Sequence, residues 1–261
     1  MTTKLLFDRN VSLVAFYGNK PPQLVALIQK LQTYLANCEL ISDRFIPYQL
    51  EQVHGTIIGC EGAKTESKII DKWFYERRQE TKYIDIPGLV NYLQHQIVPV
   101  TIGFGGYDRN LDYNFLSRQQ HLYFRSFQLQ SAQRQTIPVL IGWSWNNGVT
   151  LAIDDLRRNF QQFNLLHKYH EIPEAMDNDF YLRLGTIDRQ LTSEEIDAIA
   201  TGIRNLLATQ PPNYIPITLE DLAFARYQDL LLTPATTKVI PVKKISADRL
   251  QQLYCDRIDN L

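Results

Sequence analysis

The tripeptide Gly-Thr-Ile occurs twice, at Gly55-Thr56-Ile57 and at Gly185-Thr186-Ile187, each time on an apolar run that follows a strand-helix pattern. A chain that restarts its own layout is restricted to folds with two similar halves, each burying the face of an apolar strand. Residues 12–17 predict a buried strand closed by Gly18-Asn19, and Pro21-Pro22 opens a helix with Leu24, Leu27, Ile28, Leu31 and Leu35 at helical spacing. A strand over 52–59 carries the first copy. The mixed Lys/Glu stretch over 64–82 predicts an exposed helix inserted at the edge of the fold, and 87–96 a further short helix. Strands are expected over 98–103, 122–129 and 138–145.

The pattern then begins again, with a helix over 151–169 and a strand over 180–187 that holds the second copy. Thr192-Ser193-Glu194-Glu195 is a capping box ahead of Ile196, Ile199, Ile203 and Leu207, so a helix follows. Residues 217–232 supply one or two strands, and Ser246 caps a last helix through Tyr254 and Ile258. No low-complexity linker interrupts the chain. It reads as one bilobal domain over 1–261, with an inserted basic and aromatic segment at 61–85 and a C-terminal helix at 246–260.

Composition narrows the class of partner only slightly. The 261 residues are 44% hydrophobic, ample for a core, and 27 Lys+Arg against 28 Asp+Glu leave the whole-chain charge neutral on nucleic acid. Cys38, Cys60 and Cys255 are odd in number, far apart and match no metal spacing, which suits free thiols in a reducing compartment. The start of the chain is too short in apolar residues for a signal peptide, and no run approaches the ~20 apolar residues of a membrane span. A soluble, cytoplasmic protein without membrane contact is expected.

The first copy is preceded by His54, and side chains two apart on a strand share a face, so His54 and Thr56 present an imidazole and a hydroxyl together. Two such pairs facing each other would handle a phosphate with two proton-transfer groups and two hydroxyl donors. At the second copy, Leu184 stands where the second imidazole would be. With Val14-Ala15-Phe16 as an opening strand, this layout resembles the two-histidine (2H) phosphoesterase superfamily, which includes RNA 2′,3′-cyclic phosphodiesterases and 2′-5′ RNA ligase-like proteins. The resemblance covers about residues 10 to 232, and its second histidine motif is degenerate.

The resemblance implies an α+β fold of duplicated strand-helix-strand lobes, with mainly antiparallel sheets facing a central cleft. It implies a catalytic His54, phosphate-binding Thr56 and Thr186, and no metal or cofactor. It further implies RNA ends or small nucleotide phosphodiesters as partners. The expected function is phosphodiester or nucleotide binding, with weak or atypical cyclic phosphodiesterase activity. The alternative is a non-catalytic RNA-binding or protein-interaction module that kept the fold. If Leu184 faces the cleft, strand alternation turns Arg183 away from it.

The remaining histidines suggest no second centre. His95 and His121 read as surface or strand-end residues, and His167 and His170 as residues at a helix C-terminus. His167-x-x-His170-Glu171 lacks the order and third ligand of a zinc site. Gly103-Phe104-Gly105-Gly106-Tyr107 reads as a turn or bulge, and Trp143 and Trp145 as core.

Overall fold

The computed structural model describes residues 5–255. The first half opens with β1 (Val11–Ala15), α1 (Pro22–Ala36), β2 (Phe45–Pro47) and β3 (Gly55–Gly59). Helix α1 starts on proline and buries Leu24, Leu27, Ile28, Leu31 and Leu35, the apolar stripe that the sequence predicts. A hairpin of β4 (Gly62–Lys64) and β5 (Ile69–Asp71) follows, then α2 (Lys72–Arg78). Here the expected exposed helix over 64–82 is corrected. Only its second part is helical, because Asp71 accepts the amide of Phe74 and starts the helix there.

Next come α3 (Ile86–His95), β6 (Val100–Phe104), α4 (Leu122–Arg125), β7 (Phe127–Ala132) and β8 (Gln135–Ser144). The strand expected over 122–129 is a short helix first, with the His121 imidazole accepting the Tyr123 amide at its N-terminus. The second half holds α5 (Ala152–Asn159), β9 (Phe180–Arg183), β10 (Gly185–Ile187) and α6 (Ser193–Ala208). Thr192 and Glu195 form the capping box of α6. β11 (Asn213–Ile217), β12 (Leu222–Arg226), β13 (Lys238–Pro241) and α7 (Ala247–Gln252) complete the chain. Ser246 caps α7, but the helix stops at Gln252, short of the expected 246–260, and Ile258 lies outside the described residues.

The strands form two main sheets, ordered β13-β12-β1-β3 and β11-β6-β8-β10-β2, with β7 and β9 also paired to β8. Every strand pair described is antiparallel, so the mixed α+β class with mainly antiparallel sheets is as expected. One core spans both sheets, from Leu13 and Ala15 through the α1 leucines to Phe104, Phe180 and the α6 isoleucines. The sheets meet where β9 crosses β3. A Cβ added to Gly55 would fall 2.0 Å from the Phe180 ring, so glycine alone fits that crossing. Next to it, the Phe16 and Phe180 rings pack edge to face at 6.2 Å.

Strand β3 is the outer strand of its sheet and its pairing with β1 shifts between Leu13 and Val14, where Leu13 lies opposite Ile58 and Val14 opposite Thr56. Ile57 is thus an extra residue, and the bulge re-phases the strand so that Thr56 and Gly59 both reach the same half-buried face. The free edge of β3 does not stay open. Arg157 donates its Nε to the Ile57 carbonyl at 2.8 Å and its other guanidinium nitrogens to Thr56, Asp177 and Asp179 carbonyls. A buried guanidinium closes the strand edge and ties it to the segment leading into β9.

Candidate functional site

Between the two sheets lies a cleft of about 460 Å³. Ser12 and Val14 of β1 and Thr56 of β3 face it from the first sheet, and Val139 and Tyr181 from the second. His54 stands at its rim, one residue before β3 begins, because the short 3-10 turn over Leu50–Gln52 delays the strand that the sequence would start at 52. Its Nδ1 lies 2.5 Å from the Gln52 carbonyl oxygen. A carbonyl only accepts, so Nδ1 carries the ring proton and Nε2 holds the lone pair. Burial lowers the His54 pKa to about 4; the Gln52 bond opposes that shift and the Arg183 and Lys20 cations add to it. His54 is a neutral imidazole at pH 7.

The opposite wall corrects the second-motif assignment. Arg183 and Tyr181 line the cleft, whereas Leu184 is fully buried in the core. The chain leaves its strand at Leu184, whose amide donates to the Pro138 carbonyl, while its own carbonyl accepts from the Tyr48 amide and the Gln32 side chain. That break sends Gly185-Thr186-Ile187 off to pair with β2. Thr186 is therefore buried at 6% exposure, with its hydroxyl on Tyr48, and is not among the residues that line the cleft. An apolar residue belongs in the core, and burying Leu184 turns Arg183 outward by strand alternation. The repeated tripeptide marks two strands in unlike places.

The third wall was not foreseen from the sequence. Ser117-Arg118-Gln119-Gln120 is a tight turn in which Arg118 and Gln119 both take positive φ, 48° and 62°. Two side-chain-bearing residues in that region store about 1 kcal/mol or more each. The turn lays the Arg118 guanidinium 4.7 Å from the Tyr169 ring centre, with long contacts of 3.4 Å to Asp177 and 3.5 Å to Asp179. Lys168 lies over the same ring. Burial opposes it, yet these two cations draw the Tyr169 phenol below its ordinary pKa.

His167 and His170 do not end a helix. α5 is followed by a 3-10 turn over Phe160–Phe163, Asn164 then takes the left-handed conformation, and both histidines are buried in the loop beyond. His167 bonds Asp177 through Nε2 at 2.8 Å, and His170 bonds Asp154 in the same way at 2.8 Å. Asp177 also meets Arg157 at 3.2 Å. Burial alone would raise the Asp177 pKa; Arg157 and His167 hold it well below the carboxylate range. Burial and Arg157 push His167 down to about 3, with the Asp177 bond opposing, so this second cleft-lining imidazole is also neutral. His95 and His121 lie elsewhere, bonded to the Asn91 and Leu111 carbonyls. Among the described residues no group of three or more His, Cys, Asp or Glu side chains is placed to hold a metal ion.

The cleft therefore combines a neutral imidazole, the Thr56 hydroxyl and four cationic side chains, Arg118, Arg157, Lys168 and Arg183, of which Arg157 is taken up by backbone carbonyls and Asp177. Such a set binds an anion and accepts a proton near it. Sequence reasoning reached His54 and Thr56 only. Nothing in the spacing of the arginines, of Asp177 or of His167 announces that the fold gathers them.

No protein-family model matches the chain, and no curated protein matches it. Among solved structures, TT0787 of Thermus thermophilus aligns with 88% of this chain and 93% of its own, at 14% identity and a TM-score of 0.39. No helix among the described residues is long and apolar enough to cross a membrane.

Proposed function

We propose that the cleft binds a phosphodiester or nucleotide and hydrolyses a cyclic phosphodiester slowly, without a metal. The observation that carries this reading is the His54 imidazole, whose Nδ1 is held by the Gln52 carbonyl so that Nε2 keeps its lone pair, lining one cleft with Arg183. Arg183, Arg118 and Lys168 would take the phosphate oxygens, which planar guanidinium groups hold in pairs. As the water oxygen bonds to phosphorus, His54 Nε2 takes its proton. The P–O bond to the leaving oxygen breaks, and that oxygen takes a proton from solvent. Arg183 can stabilise the charge but does not supply the proton, since a guanidinium group stays charged in proteins. A missing proton-transfer group costs ~10²–10⁴-fold in rate, which is why the reaction is slow.

In this reading the chain is a duplicated, 2H-like fold whose second motif is Tyr181-x-Arg183 on β9, opposite His54-x-Thr56. The rival is a module that binds RNA ends or a protein partner without catalysis; the core position of Leu184 and the arginine beside it favour that reading over efficient two-histidine hydrolysis. The test is hydrolysis of 2′,3′-cyclic nucleotides and of short RNA ending in a cyclic phosphate, by the wild type and by His54→Ala. A rate above background that falls ~10²–10⁴-fold in the variant supports the enzyme. Equal rates refute it.

A further inference from the structure

The lining of the cleft includes a carboxylate, Glu61, as well as its cations. Along β3, Gly59 follows Thr56 by three residues, about 10 Å of extended chain. The bulge at Ile57 brings both onto the cleft face. Over Gly59 sits the carboxylate of Glu61: a Cβ added to Gly59 would lie 2.2 Å from Glu61 Oε2, so only glycine leaves it that seat. Trp73 Nε1 donates to Oε2 at 2.8 Å, and the buried Tyr227 hydroxyl points its proton at Oε1 from 3.5 Å. Ser12, 3% exposed, shares a hydrogen bond with the Tyr227 hydroxyl at 3.0 Å. Glu61, Trp73, Tyr227 and Ser12 all line the cleft. A carboxylate accepts at roughly four lone-pair positions, so these two bonds orient Glu61 and leave both oxygens able to accept more.

Resting on the reading of the cleft as a nucleotide site, we propose that Glu61 recognises the base, and that the base it fits is guanine. A ligand whose phosphate lies beside Thr56 has the seat over Gly59 three residues further along the same strand. What it meets there is an oriented anion with acceptors only. Guanine offers that anion two adjacent donors on its Watson–Crick edge, N1–H and the N2 amine, in the paired geometry a carboxylate takes. Uracil places its single N–H between two carbonyl oxygens, which the carboxylate repels. A cationic side chain would satisfy Glu61 equally well, but Arg118, Lys168 and Arg183 line the same cleft and disfavour a ligand that carries no anion.

The test is calorimetric titration of the full chain with guanosine, adenosine, cytidine and uridine 2′-monophosphates, which do not turn over. Wild type is expected to bind the guanosine nucleotide at least tenfold more tightly than the uridine one. Glu61→Gln, nearly the same in shape, is expected to lose at least tenfold for guanosine and to leave uridine unchanged. Gly59→Ala, which displaces the carboxylate without removing it, is expected to reduce the same preference, with melting curves reporting that both variants are folded. Equal affinity for the four nucleotides in the wild type, or an unchanged ranking in folded Glu61→Gln, overturns the assignment of the base while leaving the phosphate site standing. If no nucleotide binds at all, the nucleotide reading of the cleft falls and this assignment falls with it.

Discussion

At the scale of single residues, His54 is the group whose behaviour is most constrained. Its pKa near 4 keeps Nε2 available far into acid, so the acidic limb of kcat/KM for a cyclic nucleotide is expected near pH 4, not near 6.5. A limb at 6.5 would mean that the imidazole is solvated and outside the cleft. The same shift has a sign for stability. An unfolded histidine takes a proton below about 6.5, the folded one only below about 4, so this contribution is intact above pH 6.5 and is lost as the pH falls towards 4. The loss is at most about 3 kcal/mol. Urea denaturation between pH 7 and 4 is expected to weaken the wild type more than His54→Gln, whereas parallel curves would contradict the shift. His54 and Thr56 were legible because they are close in sequence and lead into one apolar strand. Arg157, His167 and Asp177 were not. They are brought together by a loop whose path no local pattern encodes, and an arginine sealing a strand edge looks, in sequence, like any surface arginine.

At the scale of elements, two local breaks decide what the cleft contains. The bulge at Ile57 keeps Thr56 and Gly59 on one face, and the break at Leu184 sends Thr186 off to pair with β2 while alternation along β9 leaves Tyr181 and Arg183 facing the cleft. Periodicity gives strands and helices, such as α1 with its five buried apolar residues and α6 with its capping box. It does not give the position of a one-residue break, and one residue exchanges the faces of a strand. Leu184→His is accordingly expected to put an imidazole into the core and not into the cleft. The lost apolar contacts and the buried polar ring would cost about 2–5 kcal/mol, read as a fall in Tm, with no gain of hydrolysis. Arg183→His is the substitution that tests the empty role, and a gain of activity there with none at 184 would place the second motif on β9. A gain at 184 would contradict the orientation of the strand.

At the scale of the whole molecule, the two sheets are joined by packing at Gly55 and Phe180 and by the Arg157 guanidinium, which reaches both β3 and the segment before β9. Removing one member of a buried ion pair strands the other, so Arg157→Ala is expected to cost about 3–5 kcal/mol in denaturant unfolding. A loss under 1 kcal/mol would show that the sheets hold together without it. The α+β class with antiparallel sheets was legible from the order of elements, since strand and helix periods survive any tertiary arrangement. The first tripeptide leads to the residues that line this cleft, and the second does not, since Thr186 is not among them. The central claim, that this cleft holds a phosphodiester between His54 and Arg183, is tested most directly by titrating a 2′,3′-cyclic nucleotide into the wild type and Arg183→Met. Saturable binding by the wild type, weakened about tenfold or more when the charge-assisted hydrogen bond is removed, is the predicted result; equal affinities, or no saturable binding to the wild type, would contradict it.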